Sequence, residues 1–243
     1  MKKNNRLDQL IQEKLPDISR TQIASMIMQG KVKVDGKVNT KPGSSIKEDS
    51  EVEFNFEEPK FVSRAGFKLE KALDHFGIDV TDLVIMDAGI STGGFTHCML
   101  QRGAKKVYGV DVGFGQVHER VTRDPRVVLL EKTNLRNLES LPEKVDLVTL
   151  DLSFISVLKV MPVVTDLMTD NAQLVVLIKP QFEAKKHQIG RGGIVKDDKV
   201  HQEVIQTITE GIKEFGFACL GVIESPIAGA TGNKEFLAHF KRK

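Results

Sequence analysis

A chain of 243 residues has room for one large α/β domain, or for a domain with a small appendage. Its 40% hydrophobic and 28% charged residues describe a soluble globular protein. The longest uninterrupted apolar run, Leu174 to Ile178, is far short of the ~20 residues that span a bilayer, so a membrane segment is excluded and a cytoplasmic location expected. Two distant cysteines, Cys98 and Cys219, exclude a disulfide framework or a zinc site and read as small buried hydrophobes. The net charge of +2 hides an uneven distribution. Residues 1–47 hold ten Lys/Arg against four Asp/Glu, residues 48–58 hold six acids and no base, and residues 61–243 hold 24 bases against 23 acids.

In chain order, Leu7, Leu10 and Ile11 recur at helical spacing. A second helix starts at Ser19, whose side chain can cap it with Gln22 three residues on, and Gly30 closes it. Lys31-Val-Lys-Val34 alternates base with apolar residue before Asp35-Gly36, a hairpin signal, and Glu51 to Phe56 alternates in the same way. Arg6, Arg20, Lys31, Lys33, Lys37 and Lys41 are expected to share one face suited to RNA phosphates, with Ser19 beside them. Arg6-Leu-Asp8, Ser19-Arg20, Ile27, Gly30 to Gly36 and Asp49 resemble the S-four-type RNA-binding module. The acidic run Glu48 to Glu58, followed by Pro59, suits an exposed linker that keeps nucleic acid off the hinge. The expected division is an α+β RNA-binding domain over 1–58, a linker over 59–62 and a second domain over 63–243.

Ser63 to Gly77 reads as a capped amphipathic helix with Phe67, Leu69, Leu73 and Phe76 as its apolar members and Lys68 among them. From Val84 the pattern alternates, with strands near 84–87, 106–111, 127–130, 145–150, 173–178, 217–224 and 235–240, and helices over 95–102, 116–122, 156–168 and 199–214. That order predicts an α/β fold: a doubly wound, mostly parallel, seven-stranded Rossmann-like sheet with ligands at its carboxyl edge. Asp87-Ala-Gly-Ile-Ser-Thr-Gly-Gly-Phe-Thr96 follows the first strand as a glycine-rich loop opening a helix. Its spacing, G-x-x-x-G-G, differs from the G-x-G-x-x-G of dinucleotide sites. It suits a ligand with an adenosine, a sulfonium and no phosphates, which is S-adenosylmethionine. Asp87, Gly89, Ser91, Thr92, Gly93 and Gly94 are the expected cofactor loop, and Asp111, ending the next strand, is placed for a ribose hydroxyl. Asn134 suits either the adenine or the capping of its own turn.

Three polar residues adjoin strand ends: Asp151 after Val145 to Leu150, Lys179 after Leu174 to Ile178, and Glu235 before the last strand. With Lys68 they suggest chemistry on a hydroxyl acceptor. Methylation of a ribose 2′-OH removes a weakly acidic proton, and a lysine made less basic by burial and a second cation can take it. Lys179 is the expected base and Lys68 the second cation, while Asp151 and Glu235 orient the ammonium groups and the substrate. Gln181 to Val195, with Lys185, Lys186 and Arg191, reads as a mobile basic lid over RNA or as a plain surface loop. The six histidines show no metal-ligand spacing, so no metal is expected.

Ser63-Arg-Ala-Gly-Phe-Lys-Leu69, Asp87 to Thr96, Asp111-Val-Gly-Phe-Gly-Gln116, Asp151-Leu-Ser-Phe-Ile-Ser156, Lys179-Pro-Gln-Phe-Glu183 and Gly232-Asn-Lys-Glu-Phe236 closely resemble the TlyA-type hemolysin-like ribosomal RNA methyltransferases. Their catalytic domain is similar to the FtsJ class of ribose 2′-O-methyltransferases, which uses a Lys-Asp-Lys-Glu tetrad. Lys68, Asp151, Lys179 and Glu235 match it in order and context. The resemblance implies S-adenosylmethionine as cofactor (Asp151 also near it), a cytidine ribose as acceptor, and ribosomal RNA or a ribosomal subunit as partner, with no obligate protein partner. Rival readings are a base-amino methyltransferase, which Asp151-Leu-Ser-Phe154 resembles without its two prolines, a cytolysin, and a ribosome-assembly factor using the fold as a scaffold.

Overall fold

The computed structural model describes residues 4–16, 18–55, 59–229 and 231–243. The chain divides into two compact units, Met1–Pro59 and Lys60–Lys243. The smaller contains β1 (Asn4–Arg6), α1 (Leu7–Lys14), α2 (Arg20–Met28), β2 (Val32–Val34), β3 (Lys37–Val38), β4 (Ser45–Lys47) and β5 (Val52–Phe54). Its core gathers Leu7, Ile11, Ile23, Ile27 and Val32, all fully buried. Ser19 caps α2 in a reciprocal capping box with Gln22. The β2–β3 turn has Asp35 at φ 50° and Gly36 at φ 75°, the two positive angles that a hairpin turn of matching twist requires. The antiparallel pair β1–β4 has no counterpart in the sequence reading, because its strands are too short to show alternation. The alternation expected over Glu51 to Phe56 forms β5, where 52–54 pair with β2, so that part of the acidic run is a strand and no linker; Phe56 to Glu58 lie outside the described residues.

The larger unit follows in chain order: α3 (Ala65–Phe76), β6 (Val84–Ala88), α4 (Gly94–Gln101), β7 (Lys106–Val110), α5 (Glu119–Thr122), β8 (Val127–Leu130), β9 (Val145–Leu150), α6 (Met161–Leu167), β10 (Met168–Ile178), α7 (Pro180–Glu183), α8 (Asp198–Lys213), β11 (Phe217–Glu224) and β12 (Phe236–Arg242). The seven strands lie in the order β11-β12-β10-β9-β6-β7-β8, with β12 antiparallel to both its neighbours and the rest parallel. Successive residues of β6 serve opposite faces, as the strand period demands. Val84, Met86 and Ala88 join the core under α6 and α8, whereas Ile85 joins the one under α3 and α4. Cys98 is buried in the latter, where desolvation pushes its thiol up to about 12, and Cys219 is half-buried on β11.

Four expected elements come out differently. The helix expected over 116–122 shrinks to α5, because Gly113 and Gly115 donate their N–H groups to the Asp111 and Glu131 carboxylates in a loop. The helix expected over 156–168 splits into a 3-10 turn at Val157–Lys159 and α6, which starts at Met161 with Pro162 in its first turn. The strand expected over 173–178 begins earlier, at Met168, with an irregularity before Gln173. Helix α3 starts at Ala65 with no side-chain cap; the buried Ser63 Oγ has no partner.

Candidate active site

Strand register brings the predicted residues to one edge of the sheet. Ala88 pairs with Val110 and with Leu150, so Gly89, Asp111 and Asp151 lie in one row beyond the parallel strands. Ile178 pairs with Phe236 across the antiparallel β10–β12 ladder, which sets Lys179 level with Glu235. The antiparallel strand thus delivers a residue from its start to the edge that parallel strands reach at their ends.

A cavity of about 460 Å3 opens at this edge, lined by Gly89, Ser91, Asp111, Asn134, Asp151 and Phe154 among others. It lies beyond the ends of the adjacent parallel strands β6 and β9, from which the chain leads to opposite sides of the sheet, the place where open α/β sheets hold ligands. Gly89 has φ 86°, and a side chain there would collide with the Asp151 carbonyl oxygen, so only glycine allows the loop to pass. Asp111 folds the cavity wall: one carboxylate oxygen accepts the Ser91 N–H at 2.9 Å and the other the Gly113 N–H at 2.7 Å. Each oxygen keeps a second lone pair for a ligand hydroxyl. Asn134 caps its own 3-10 turn through the Arg136 N–H, the second of its two expected roles, and also lines the cavity.

Not every expected loop residue faces this space. Asp87 is fully buried and gives its oxygens to the Thr96 and Thr149 hydroxyls, at 2.6 and 2.8 Å. Burial pushes its carboxyl up to about 6 despite those hydrogen bonds. Its position therefore braces the loop from beneath. Gly93 and Gly94 are buried at the start of α4, and Thr92 is exposed, with its carbonyl accepting the His118 N–H.

Lys68 and Glu235 form a buried pair, Nζ to Oε2 at 2.5 Å, with side chains 11% and 3% exposed. Lys179 Nζ lies 2.6 Å from Asp151 Oδ1, off the hydrogen-bonding direction of that oxygen, and donates to Ser153 Oγ at 3.0 Å. Each ammonium has its own carboxylate within contact, Glu235 for Lys68 and Asp151 for Lys179, the two acids expected to orient them. Buried pairs of this kind stabilise a fold less than apolar residues of equal volume would. Asp151 lines the cavity, and that place of a paired carboxylate argues for chemistry.

Several residues of this edge escaped the sequence reading. Phe154 is 89% exposed with φ 64°, and its ring stands 4.9 Å from that of Phe182. The available signal was a phenylalanine three residues after each of Asp151 and Lys179. Asn233 is fully buried; its Oδ1 accepts the Val195 N–H at 2.9 Å and its amide donates to the Gly193 carbonyl and Thr231 Oγ1. It ties 193–195 to the approach to Glu235. The segment from Gln181 carries local structure: α7 ends at Glu183, a 3-10 turn spans Lys186–Gln188, and Gly190 N–H bonds the Ile194 carbonyl. Lys185, Lys186 and Arg191 are exposed on it.

In the smaller unit, Arg6 grips Asp8 with two hydrogen bonds, at 3.0 and 2.8 Å, and Arg20 comes within 3.8 Å of the same carboxylate. The Arg6 hydrogen bonds lower the Asp8 carboxyl. Lys31, Lys33, Lys37 and Lys41 are exposed. They do not share one face. Lys33 pairs across the sheet with Glu53 and Val38, whereas Lys37 pairs with Val34, whose side chain packs on the core, so the two lysines leave opposite sides. Ser19 has its hydroxyl engaged in capping.

A mostly parallel sheet in this strand order, with one reversed strand and a glycine-led cavity at its switch point, defines the Rossmann-like methyltransferase class. The chain belongs to the FtsJ-like methyltransferase family, which matches residues 61–242, and residues 5–52 match the S4 domain. It is 41% identical over 221 residues to the 16S/23S rRNA (cytidine-2'-O)-methyltransferase TlyA of Mycobacterium tuberculosis, covering 90% of this chain and 82% of that one. It is 39% identical to Hemolysin A of Brachyspira hyodysenteriae, covering 97% of this chain and 99% of that one. A solved structure of a hemolysin-named protein from Streptococcus thermophilus superposes with a TM-score of 0.76 at 39% identity, covering 100% of this chain and 90% of that one. Among the described residues, no helix is long and apolar enough to cross a membrane.

Proposed function

We propose that this protein transfers a methyl group from S-adenosylmethionine to a ribose 2′-OH of ribosomal RNA, the acceptor being a cytidine, with Lys179 as the base of a Lys68-Asp151-Lys179-Glu235 tetrad. The observation that carries the proposal is the Lys179–Asp151 pair, whose carboxylate lines a glycine-led cavity, with the buried Lys68–Glu235 pair set level with Lys179 by the β10–β12 register. The cytidine-2'-O activity in the name of the Mycobacterium tuberculosis relative supports the acceptor.

The cavity residues fit the cofactor. Gly89, which can carry no side chain beside the Asp151 carbonyl, lines the cavity with bare backbone, and the spare lone pairs of Asp111 suit the ribose hydroxyls of a nucleoside. Bound there, S-adenosylmethionine supplies an electrophilic methyl group on a sulfonium centre. Lys179 would accept the 2′-hydroxyl proton as that oxygen bonds the methyl carbon and the methyl–sulfur bond breaks, leaving a neutral thioether. Asp151 and Ser153 then hold the resulting ammonium. Glu235 keeps Lys68 in place as the second cation, available to an RNA phosphate. Arg6, Arg20 and the exposed lysines of the smaller unit, with Lys185, Lys186 and Arg191 of the larger, hold the RNA.

The test is Lys179→Ala. Transfer of labelled methyl to ribosomal RNA from cells lacking the protein is expected to fall at least about 100-fold, the scale of general-base catalysis, with cofactor affinity retained. Full transfer by this variant refutes the assignment. Mass spectrometry of the product nucleoside checks the acceptor, since a methylated base with an unmodified ribose contradicts it.

A further inference from the structure

The turn Lys179–Glu183 and the loop Asp151–Val157 grip each other at both ends. At the near end Lys179 meets Asp151 and Ser153; in the middle the Phe182 ring packs on that of Phe154; at the far end Glu183 Oε1 accepts the Val157 N–H at 2.9 Å. The near and middle contacts all use side chains that face the cavity rim or flank one that does. Glu183 is set apart from them, half-buried beneath the loop, where desolvation raises its carboxyl above the usual range. Phe154, between the two ends, has φ 64°, a left-handed conformation that a non-glycine residue keeps only where its surroundings hold it. The loop therefore needs a fastening beyond Phe154, and Glu183 supplies one.

We propose that Glu183 is a positioning residue for methyl transfer: by accepting the Val157 N–H it holds the Asp151–Val157 loop against α7 and so keeps Lys179 on Asp151 and Ser153. The inference rests on the reading of Lys179 as the base. It requires an acceptor oxygen at position 183 and no negative charge there, so glutamine, which keeps that oxygen, serves in place of glutamate.

Single-turnover transfer of labelled methyl from S-adenosylmethionine to ribosomal subunits from cells lacking the protein tests this in the full chain. The Glu183→Ala variant is expected to slow transfer roughly 10- to 100-fold, the effect of misplacing a reacting group by about an ångström, with cofactor affinity within about threefold of the parent. Glu183→Gln is expected to stay within about threefold of the parent rate. Glu183→Ala combined with Lys179→Ala is expected to be no slower than Lys179→Ala alone, since a residue acting through Lys179 has nothing left to position. Where truncation unfolds the chain, Glu183→Met, of similar length and without an acceptor, replaces it. A parent-like rate in Glu183→Ala or Glu183→Met, an equal loss in Glu183→Gln, or an additive loss in the double variant overturns the inference. Full transfer by Lys179→Ala instead overturns the base assignment, and that arm retains the native Glu183.

Discussion

Asp87 pits local stability against the needs of the loop above it. It is sealed between β6, β9 and α4, and the hydroxyls of Thr96 and Thr149 offset only part of its desolvation, leaving its carboxyl at about 6. In the unfolded chain the same group titrates near 3.9. Between these values the folded state holds a proton that the unfolded state has lost, so stability falls as pH rises from about 4 to 6 and stays lower above. A shift of this size corresponds to on the order of 3 kcal/mol. Asp87→Asn removes the titration while keeping one acceptor and one donor for the two threonines. Urea midpoints measured from pH 4 to pH 8 are expected to decline in the parent and to flatten in the variant, which gains relative stability at pH 8. Parallel curves for the two proteins defeat this account.

Among the elements, the loop between β6 and α4 makes the sharpest demand on sequence. Gly89→Ala adds a Cβ against the Asp151 carbonyl oxygen at a φ of 86°. Gly77→Ala, at the end of α3, meets a similar φ of 64° in open space and isolates the backbone term. Both are expected to lose about 1–3 kcal/mol of stability from the left-handed conformation alone. Only Gly89→Ala is expected to weaken S-adenosylmethionine binding as well, by at least about tenfold in calorimetry; equal affinities in the two variants break the link between this passage and the cofactor. The central strands were legible in the sequence because buried parallel strands are nearly continuous apolar runs, and the strand-end residues Asp151, Lys179 and Glu235 were legible as polar breaks in them. What stayed hidden depends on contacts distant in sequence. The pairing of each lysine with its own carboxylate, the clasp of Glu183 on Val157 and the bonding of Asn233 to Val195 and Gly193 have no local signature, since their partners lie from 26 to 167 residues away. The opposite faces of Lys33 and Lys37 were hidden for another reason: the turn Asp35-Gly36 fixes a register that alternation within one strand does not reveal.

Across the whole molecule, the chain divides into two units, each with its own core. Among the described residues, the cavity lining and both lysine–carboxylate pairs belong to Lys60–Lys243. In that smaller unit two guanidinium groups share one nearly buried carboxylate, Asp8, which fixes Arg6 and leaves a net positive charge on the pair of helices it joins. On the proposed function this charge contacts RNA phosphates, an interaction that is sequence-independent and sensitive to salt. Arg20→Ala is the selective probe, because Arg6 keeps both of its hydrogen bonds to Asp8 without it. The variant is expected to bind ribosomal RNA more weakly, and the slope of log affinity against log salt is expected to drop by about 0.7 to 0.9 for the one lost phosphate contact. Its affinity for S-adenosylmethionine and its single-turnover rate at saturating RNA are expected to match the parent. An unchanged salt slope removes Arg20 from the RNA contact, whereas a fall in the saturating rate shows that the smaller unit enters the chemical step as well as the binding one.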